Sequence, residues 1–152
     1  LMAVAKGIGS GFPMGACLAT QSASIGMQKG VHGSTFGGNS LAVSVGTAVI
    51  KEIMYQGFLT KVNKISEYLW KELAKLQKDF NQIKEIRGAG LLIGIKTIMD
   101  NYKICDLLSE NGLLTITASD NIIRLAPPLI INRKDVDKAI NIMRKVFTKI
   151  DG

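Results

Sequence analysis

The sequence predicts a mixed α/β protein whose first third differs in composition from the rest. Of its 152 residues, 47% are hydrophobic and 20% are charged, which is enough apolar material for a packed core. Residues 1–50 contain no Asp or Glu and hold ten of the sixteen glycines, whereas nearly all the charge lies in residues 51–152. The second part alternates between helical and strand periodicity. These observations predict an α/β chain that ends in helices packed on one face of a short, largely antiparallel sheet.

The first part of the chain predicts two short strands around a turn. The run LMAVA (1–5) and the run ACLAT (16–20) are apolar, and the glycine-rich residues 7–15 separate them. Because protein surfaces are normally charged, a charge-poor segment of this length is expected to be covered by material outside this sequence.

Two helices are predicted in the middle of the chain. Asn39 or Ser40 can cap the first, and Gly57 is a suitable place for it to end. The second runs from about Leu59 to Phe80, with apolar residues at three- and four-residue intervals. At 1.5 Å per residue it would be about 33 Å long, a length that commonly connects one compact unit to the next.

The last seventy residues predict a small α/β unit with a hairpin. Its elements are, in order, a strand at 91–96, a short helix closed by Gly112, strands at 113–117 and 122–131 on either side of a Ser-Asp-Asn turn, and a helix capped by Asn132.

Composition argues against several classes of function. The net charge is +7, but most cations are lysines on polar helix faces and aromatic residues make up only 6%, unlike nucleic-acid stacking surfaces. No apolar run approaches the roughly 18 residues of a membrane span. One His and two Cys do not make a usual zinc site, and Cys17 and Cys105 are expected to be small buried side chains. We therefore expect a cytoplasmic protein with no nucleic-acid partner, no membrane association and no metal.

Lys6 is the first candidate for chemistry. It is the only charge in the first 28 residues, where an apolar strand meets a glycine-rich turn. Desolvation there would favour a neutral amine, the nucleophile that forms a Schiff base with a carbonyl. The simpler alternative is a lysine that extends into solvent from a strand end. Phosphate-binding loop motifs are excluded because Lys6 precedes the glycines and Phe12 replaces the last one.

Two further positions suit anionic ligands. Arg124 interrupts the run IIRLAPPLII, and its planar guanidinium can grip a carboxylate with two hydrogen bonds; the partner is either a ligand or a surface acid. Thr35, with Ser34 before it, lies among glycines in HGSTFGGN (32–39). Its hydroxyl either stabilises its own turn or donates to a phosphate.

Four segments resemble class III pyridoxal-phosphate aminotransferases of fold type I, in the order in which that family has them. They are AVAKGIGSGFPMGA (3–16), HGSTFGGNSLA (32–42), IRGAGLLIGI (86–95) and NGLL…DNIIRLAPPLII (111–131). The resemblance implies pyridoxal 5'-phosphate as cofactor, with Lys6 carrying it as a Schiff base and then acting as general base. It implies that Thr35, and less strongly Ser34, contact the phosphate across a dimer interface. It implies that Arg124 holds the substrate's α-carboxylate, whereas Arg87 is expected to be a structural tie between segments.

The resemblance also implies a substrate class and an arrangement of domains. Within the family the segments are most similar to the branch that transfers the amino group of N2-acetylornithine to 2-oxoglutarate in arginine biosynthesis, with the ornithine branch very close. Residues 1–57 would complete a large cofactor-binding domain, 58–81 a linking helix, and 82–152 a small C-terminal domain.

The four segments resemble only the C-terminal two fifths of such an enzyme, which works as a homodimer. We therefore expect the chain to be inactive alone. The alternatives are an ornithine aminotransferase, a non-catalytic remnant, and one half of a split enzyme that needs a partner chain.

Overall fold

A hairpin and one helix make up the first of the two units into which the chain divides, Leu1–Leu59. The structure is a computed structural model that describes residues 1–151. Strand β1 (Met2–Ala5) pairs antiparallel with β2 (Gly15–Leu18), and a 3₁₀ turn at Lys6–Gly9 follows β1 directly. Both predicted strands are confirmed, and each is one residue shorter than predicted.

Helix α1 (Ser40–Met54) begins where its cap was predicted. The side-chain oxygen of Asn39 accepts a hydrogen bond from the backbone N–H of Ala42 at 2.9 Å, which satisfies one of the free amides of the first turn. The helix ends at Met54, three residues before Gly57, whose φ of 88° lies in the connection to the next helix.

Met14 holds the 3₁₀ turn against α1. A Cβ on Gly46 would lie 2.8 Å from Cε of Met14, and a Cβ on Gly9 would lie 2.9 Å from its Cγ, so a larger residue at either glycine would require Met14 to move. Among residues 1–59, all of which the structure describes, these two glycines are the only buried residues. The first unit therefore buries no apolar side chain within itself.

Cys17 illustrates the consequence. It lies in β2 opposite Ala3 and is exposed, whereas Cys105 is buried. The prediction that both thiols are buried is therefore wrong for Cys17. Its small apolar surroundings in the sequence indicated burial, but no other part of the first unit covers the hairpin.

The second unit, Thr60–Gly152, contains an antiparallel sheet in the strand order β3–β4–β6–β5. Its strands are β3 (Ile83–Ala89), β4 (Leu92–Thr97), β5 (Ile116–Ala118) and β6 (Ile122–Leu125), and the helices are α2 (Phe58–Asp79), α3 (Asn101–Glu110) and α4 (Arg133–Asp151). The α/β fold and the predicted helices are confirmed. No helix among the described residues is both long enough and apolar enough to span a bilayer.

Three strand predictions differ from the structure. Strand β5 (Ile116–Ala118) begins three residues later than the strand predicted at 113–117. Strand β3 was missed because a register shift between Ile83 and Glu85 interrupts the alternation that marks a strand in the sequence. The hairpin of β5 and β6 is present, but β6 ends at Leu125 because Pro127 and Pro128 follow and have no N–H to donate to a neighbouring strand.

The core lies between the helices and one face of this sheet. Nineteen apolar side chains are buried among the described residues, and all of them belong to residues 62–147. Those fully buried and largest include Leu73 and Leu76 of α2, Ile93 and Ile95 of β4, Ile123 of β6 and Phe147 of α4. The apolar stripe predicted for α2 is thus the face that it buries.

Two asparagines fix the turn between β5 and β6. Asn101 is buried at the start of α3, and its Nδ2 donates to the carbonyls of Ala118 and Ile122, each at 2.9 Å. The side chain of Asn121 accepts from the backbone N–H of Asn101 and donates to the carbonyl of Thr97, both at 2.8 Å. This network satisfies buried polar groups and makes the turn a rigid part of the sheet.

Candidate functional site

Lys6 lies at the junction of β1 and the 3₁₀ turn, in an uncommon backbone conformation. Its φ is 54°, a positive value that few non-glycine residues adopt. Holding such a conformation costs on the order of 1–3 kcal/mol. The pairing of Ala5 with Gly15 and the hydrogen bond from the Ser10 N–H to the Gly7 carbonyl, at 3.1 Å, fix the backbone on both sides. Backbone strain of this kind is concentrated at functional sites.

The side chain of Lys6 is exposed, and no hydrogen bond or ion pair to another residue of its unit holds the amine. The described residues therefore do not supply the desolvation that the sequence argument assumed. A low-dielectric environment for this amine has to come from something that covers the first unit.

Ser34 and Thr35 lie in the loop that leads into α1. The Gly37 N–H donates to the Ser34 carbonyl at 3.2 Å, and this turn brings the chain to the Asn39 cap. Both side chains are exposed. Helix N-termini favour anions because their first amides point outward and the helix dipole is positive there. No carboxylate occurs before Glu52 to oppose a phosphate at this end of the helix.

Arg124 lies on the sheet face opposite the core. The strand register places it beside Gly94 of β4 and Ile116 of β5, and Arg87 of β3 is on the other side of Gly94. Arg124 is exposed and forms no salt bridge with a described residue of its unit. Of the two partners that the sequence allowed, a ligand or a surface acid, the described residues of the unit supply no acid, and exposure leaves the guanidinium available.

A cleft of about 430 Å³ lies on this face, with Arg87 and Arg124 among its lining residues and Gly94 between them. A Cβ on Gly94 would lie 3.0 Å from Cγ2 of Ile122, so a larger residue would crowd the cleft. A second cavity of about 320 Å³, beside Pro128, is mostly apolar and contains none of the predicted site residues.

Arg87 ties β3 to the β5–β6 turn, as its predicted structural role implies. Its Nη2 lies 3.3 Å from Oδ2 of Asp120, and its Nη1 lies 3.8 Å from Oε2 of Glu85. Lys96 donates to Oδ1 of the same Asp120 at 2.7 Å. The hydrogen bond and the charge of Lys96, and then Arg87, lower the pKa of Asp120 below its usual value, so this carboxylate is ionised at neutral pH.

The predicted site residues are divided between the units, with Lys6, Ser34 and Thr35 in the first and Arg124 in the second. Sequence reasoning did not single out Gly94, Lys96 or Asp120. Alternation along LLIGIK does place Gly94 and Lys96 on one face of β4. The pairing of β4 with β6, which brings that face to Arg124, is not local and leaves no mark in the sequence.

Comparison with known proteins matches nearly the whole chain to one family. The family described as aminotransferase class-III matches residues 1–147. An acetylornithine aminotransferase from Mesorhizobium japonicum is 46% identical over 145 residues, which are 95% of this chain and 36% of that protein. The resemblance drawn from the four sequence segments is thereby confirmed.

Solved structures agree with this match. A crystal structure of acetylornithine aminotransferase from Elizabethkingia anophelis is similar with a TM-score of 0.88 and 32% identity, over 97% of this chain and 40% of that one. An ornithine delta-aminotransferase from Plasmodium falciparum has a TM-score of 0.90 and 30% identity, over 98% and 40%. The chain thus spans two fifths or less of the length of each of these relatives.

Proposed function

The chain belongs to the class III aminotransferases, and from this premise we propose that it forms the lysine-bearing part of a transaminase acting on N2-acetylornithine and 2-oxoglutarate. The observation that carries the proposal is the continuous match over residues 1–147, which includes all four candidate site residues. Acetylornithine is favoured because relatives at 36–46% identity are acetylornithine aminotransferases. Ornithine is the second candidate, supported by the likeness to the Plasmodium falciparum enzyme.

The residues present fit part of a pyridoxal-phosphate site. This cofactor of the family, when bound, holds the electron pair that the substrate's Cα–H bond leaves behind. Lys6 offers an unpaired amine on a fixed backbone and would hold the cofactor covalently. Thr35 and Ser34 offer exposed hydroxyls in the loop before α1 and would bind its phosphate, and the first 51 residues contain no acid to repel it.

Each residue then has a defined task. With the cofactor bound, Nζ of Lys6 would accept the proton from the substrate's Cα and would then deliver it to the cofactor carbon that receives the amino group. The guanidinium of Arg124 binds the substrate's α-carboxylate through two parallel hydrogen bonds, which fixes the orientation of the molecule. Residue 94 is a glycine and has no side chain, so the cleft beside Arg124 has room for an aliphatic substrate.

We also propose the arrangement of the complete enzyme. Residues 1–57 would complete a cofactor-binding large domain, 58–81 link it to the rest, and 82–152 form the small domain of a homodimer. A carboxylate is needed to keep the cofactor's ring nitrogen protonated, and residues 1–51 contain no Asp or Glu. This inventory supports a requirement for further residues, supplied by the same polypeptide or by a partner chain. A non-catalytic remnant remains the alternative.

Lys6 gives the direct test. The chain is combined with the complementary N-terminal segment of a relative, pyridoxal phosphate is added, and borohydride reduction is followed by peptide mapping. We expect the stable adduct on Lys6, its loss in Lys6→Ala, and its retention in the matched control Lys29→Ala, because Lys29 is the other cation of residues 1–50. An adduct on Lys29 in the parent protein would contradict the assignment. Glutamate formation from N2-acetylornithine and 2-oxoglutarate, measured before reduction, separates an enzyme from a remnant.

Arg124→Lys tests the proposed binding of the substrate's α-carboxylate in the same reconstituted protein. Lysine keeps the charge but cannot form the two parallel hydrogen bonds. We expect amino-acid binding to weaken by about 1.5–3 kcal/mol, the range for hydrogen bonds to charged groups, while cofactor binding is unchanged. Steady-state kinetics and a cofactor titration measure the two effects, and equal kinetics would remove Arg124 from the site.

A further inference from the structure

Two arginines are the only charged side chains among the described residues that line the cleft on the open face of the sheet. Arg87 belongs to β3 and Arg124 to β6, and each pairs with Gly94 of β4, which lies between them. Residues that pair directly across strands have their side chains on the same face, so both arginines stand on one side of the sheet. Neighbouring strands lie about 4.8 Å apart, which separates the two Cα atoms by roughly 10 Å.

The rest of the cleft lining is apolar or has no side chain. Gly94 lies between the arginines, and the neighbouring lining residues include Ala118 and Ile122. The cleft therefore combines an apolar surface with two guanidinium groups whose strands are separated by a single intervening strand. Such a surface suits a short carbon chain that carries a negative charge at each end.

Both guanidinium groups keep donors for a ligand. Arg124 forms no salt bridge with a described residue of its unit. Arg87 makes one side-chain hydrogen bond among the described residues, from Nη2 to Oδ2 of Asp120 at 3.3 Å, and its Nη1 lies 3.8 Å from Oε2 of Glu85, beyond hydrogen-bond distance. Because a guanidinium has five N–H donors, the contact with Asp120 positions Arg87 and leaves most of its donors available.

The charge balance at this face favours an anion. Arg87, Lys96 and Arg124 are cations, and the carboxylates of Asp120 and Glu85 are the two that contact them among the described residues. Neither carboxylate belongs to the cleft lining. A dianion that enters the cleft is therefore attracted by a net positive charge and meets no acid among the described lining residues.

We propose that this cleft binds a dicarboxylate at both ends, with one carboxylate on Arg124 and the other on Arg87, and that Arg87 thereby selects 2-oxoglutarate as the amino acceptor. The inference rests on the proposed function, in which Arg124 binds a substrate carboxylate. In 2-oxoglutarate three carbons separate the two carboxylates, and these carbons lie on the apolar surface between the arginines. N2-acetylornithine has a single carboxylate and needs Arg124 only, so Arg87 distinguishes the two substrates.

The chain has four arginines, so chemical modification of the 152-residue chain can test the cleft. Phenylglyoxal modifies guanidinium groups, and peptide mapping gives the rate at each arginine in the presence of glutarate, which is 2-oxoglutarate without its keto group, or of butyrate, which lacks one carboxylate of glutarate. Ionic strength is held constant. We expect glutarate to slow the modification of Arg87 and Arg124 several-fold, with the same half-protecting concentration at both, because one molecule bridges them. Butyrate should require a several-fold higher concentration.

Arg87→Lys tests whether the two arginines act on one ligand. Lysine keeps the charge but loses the planar fork, so glutarate should protect Arg124 only at the higher concentration that butyrate needs, and the effect of butyrate should not change. Arg133→Lys is the matched control, because Arg133 belongs to α4 and lies outside the cleft lining, and it should leave the protection by both ligands unchanged. Arg144, also on α4, should react at the same rate with and without either ligand.

Four results would overturn the proposal: protection of only one of the two cleft arginines in the parent, equal half-protecting concentrations of glutarate and butyrate, an unchanged glutarate concentration in Arg87→Lys, or slower modification of all four arginines, which would indicate a general effect of the anion. If Arg87→Lys does not fold, the measurements on the parent chain decide the question.

The protein combined with the complementary segment supplies a second measurement. Arg87→Lys should raise the KM for 2-oxoglutarate several-fold and leave the KM for N2-acetylornithine unchanged, whereas the loss of a purely structural contact would change both. These outcomes are distinct from failure of the proposed function. Borohydride labelling at a lysine other than Lys6 would refute the transaminase assignment without changing the protection of any arginine.

Discussion

The two units of this chain use their apolar residues in opposite ways. In residues 60–151 the apolar stripes face inward and bury nineteen side chains. In residues 1–59 the only buried residues are two glycines, and large side chains such as Phe36 and Ile25 are 79% and 76% exposed. The second unit thus contains its own core, whereas the apolar surface of the first is available to pack against other material.

Because of this difference, the candidate residues of the two units depend on different surroundings. Arg124 and Asp120 lie on a sheet whose other face is packed, so their positions depend on contacts within the second unit. Lys6 has a fixed backbone but an exposed amine, so its chemical environment depends on residues outside the first unit. We therefore expect the proposed substrate contact of Arg124 to depend on this chain alone, and the proposed cofactor chemistry of Lys6 to require residues outside the first unit.

The largest expected effect is on activity. The 152-residue chain with pyridoxal phosphate, N2-acetylornithine and 2-oxoglutarate should form glutamate no faster than free cofactor does. Combined with the complementary segment of a relative, it should approach the turnover of an ordinary enzyme, about 10 per second. The physical reason is that no carboxylate occurs before Glu52 and nothing in the first unit covers Lys6. Turnover of that order by the chain alone would show that the units differ less than we infer.

A matched pair of leucine substitutions compares the packing of the two units. Leu73 of α2 is fully buried, whereas Leu41 of α1 is 62% exposed. Leu73→Ala should lower the free energy of unfolding by about 2–5 kcal/mol, because it removes contacts and leaves a cavity. Leu41→Ala should change it by no more than about 0.5 kcal/mol. Urea unfolding followed by the fluorescence of Trp70, the sole tryptophan, measures the second unit, and circular dichroism at 222 nm follows the helices of both.

The same two leucine substitutions can be compared again, by their effect on the free energy of unfolding, once the chain is combined with the complementary segment. If the complementary segment covers the first unit, Leu41→Ala should become costly while the cost of Leu73→Ala stays the same. A large effect of Leu41→Ala in the isolated chain would contradict the exposed position of α1.

Local patterns in the sequence predicted most of the elements correctly. Caps are local, and Asn39 and Asn132 do start α1 and α4; the Asn132 side chain accepts from the Lys134 N–H at 2.8 Å. The bulged strand β3 was missed because its alternation is broken near Glu85. Periodicity reports which residues share a face and carries no information about irregular backbone.

The site was less accessible from the sequence, for two physical reasons. The cluster around Asp120 depends on the pairing of β4 with β6, whose partner residues are 26–32 positions apart, and the spacing of its residues does not show that they meet. The environment of Lys6 depends on atoms that the first unit does not contain. A charge-poor segment indicates that something covers it, but the segment cannot specify what does.

The smallest expected effect concerns acid sensitivity, which belongs to the second unit because the first carries Glu52 as its single acid. The pKa of Asp120 is lowered in the folded chain, chiefly by Lys96 and then by Arg87. An unfolded Asp, with a pKa of about 3.9, binds a proton more readily, so Asp120 stabilises the fold at neutral pH. This stabilisation is lost as the pH falls below about 4 and through the lower folded pKa.

Asp120→Asn removes the titrating group and therefore measures what the Asp120 carboxylate contributes to the stability of the fold. The urea midpoint of the variant, followed by Trp70 fluorescence, should lie below that of the parent at pH 7. The difference should shrink as the pH falls below about 4, because protonation makes the parent resemble the variant. Since the carboxylate is exposed, the effect should be small and should decrease further in high salt. A constant difference for Asp120→Asn from pH 7 to 2 would mean that it does not arise from the charge of Asp120.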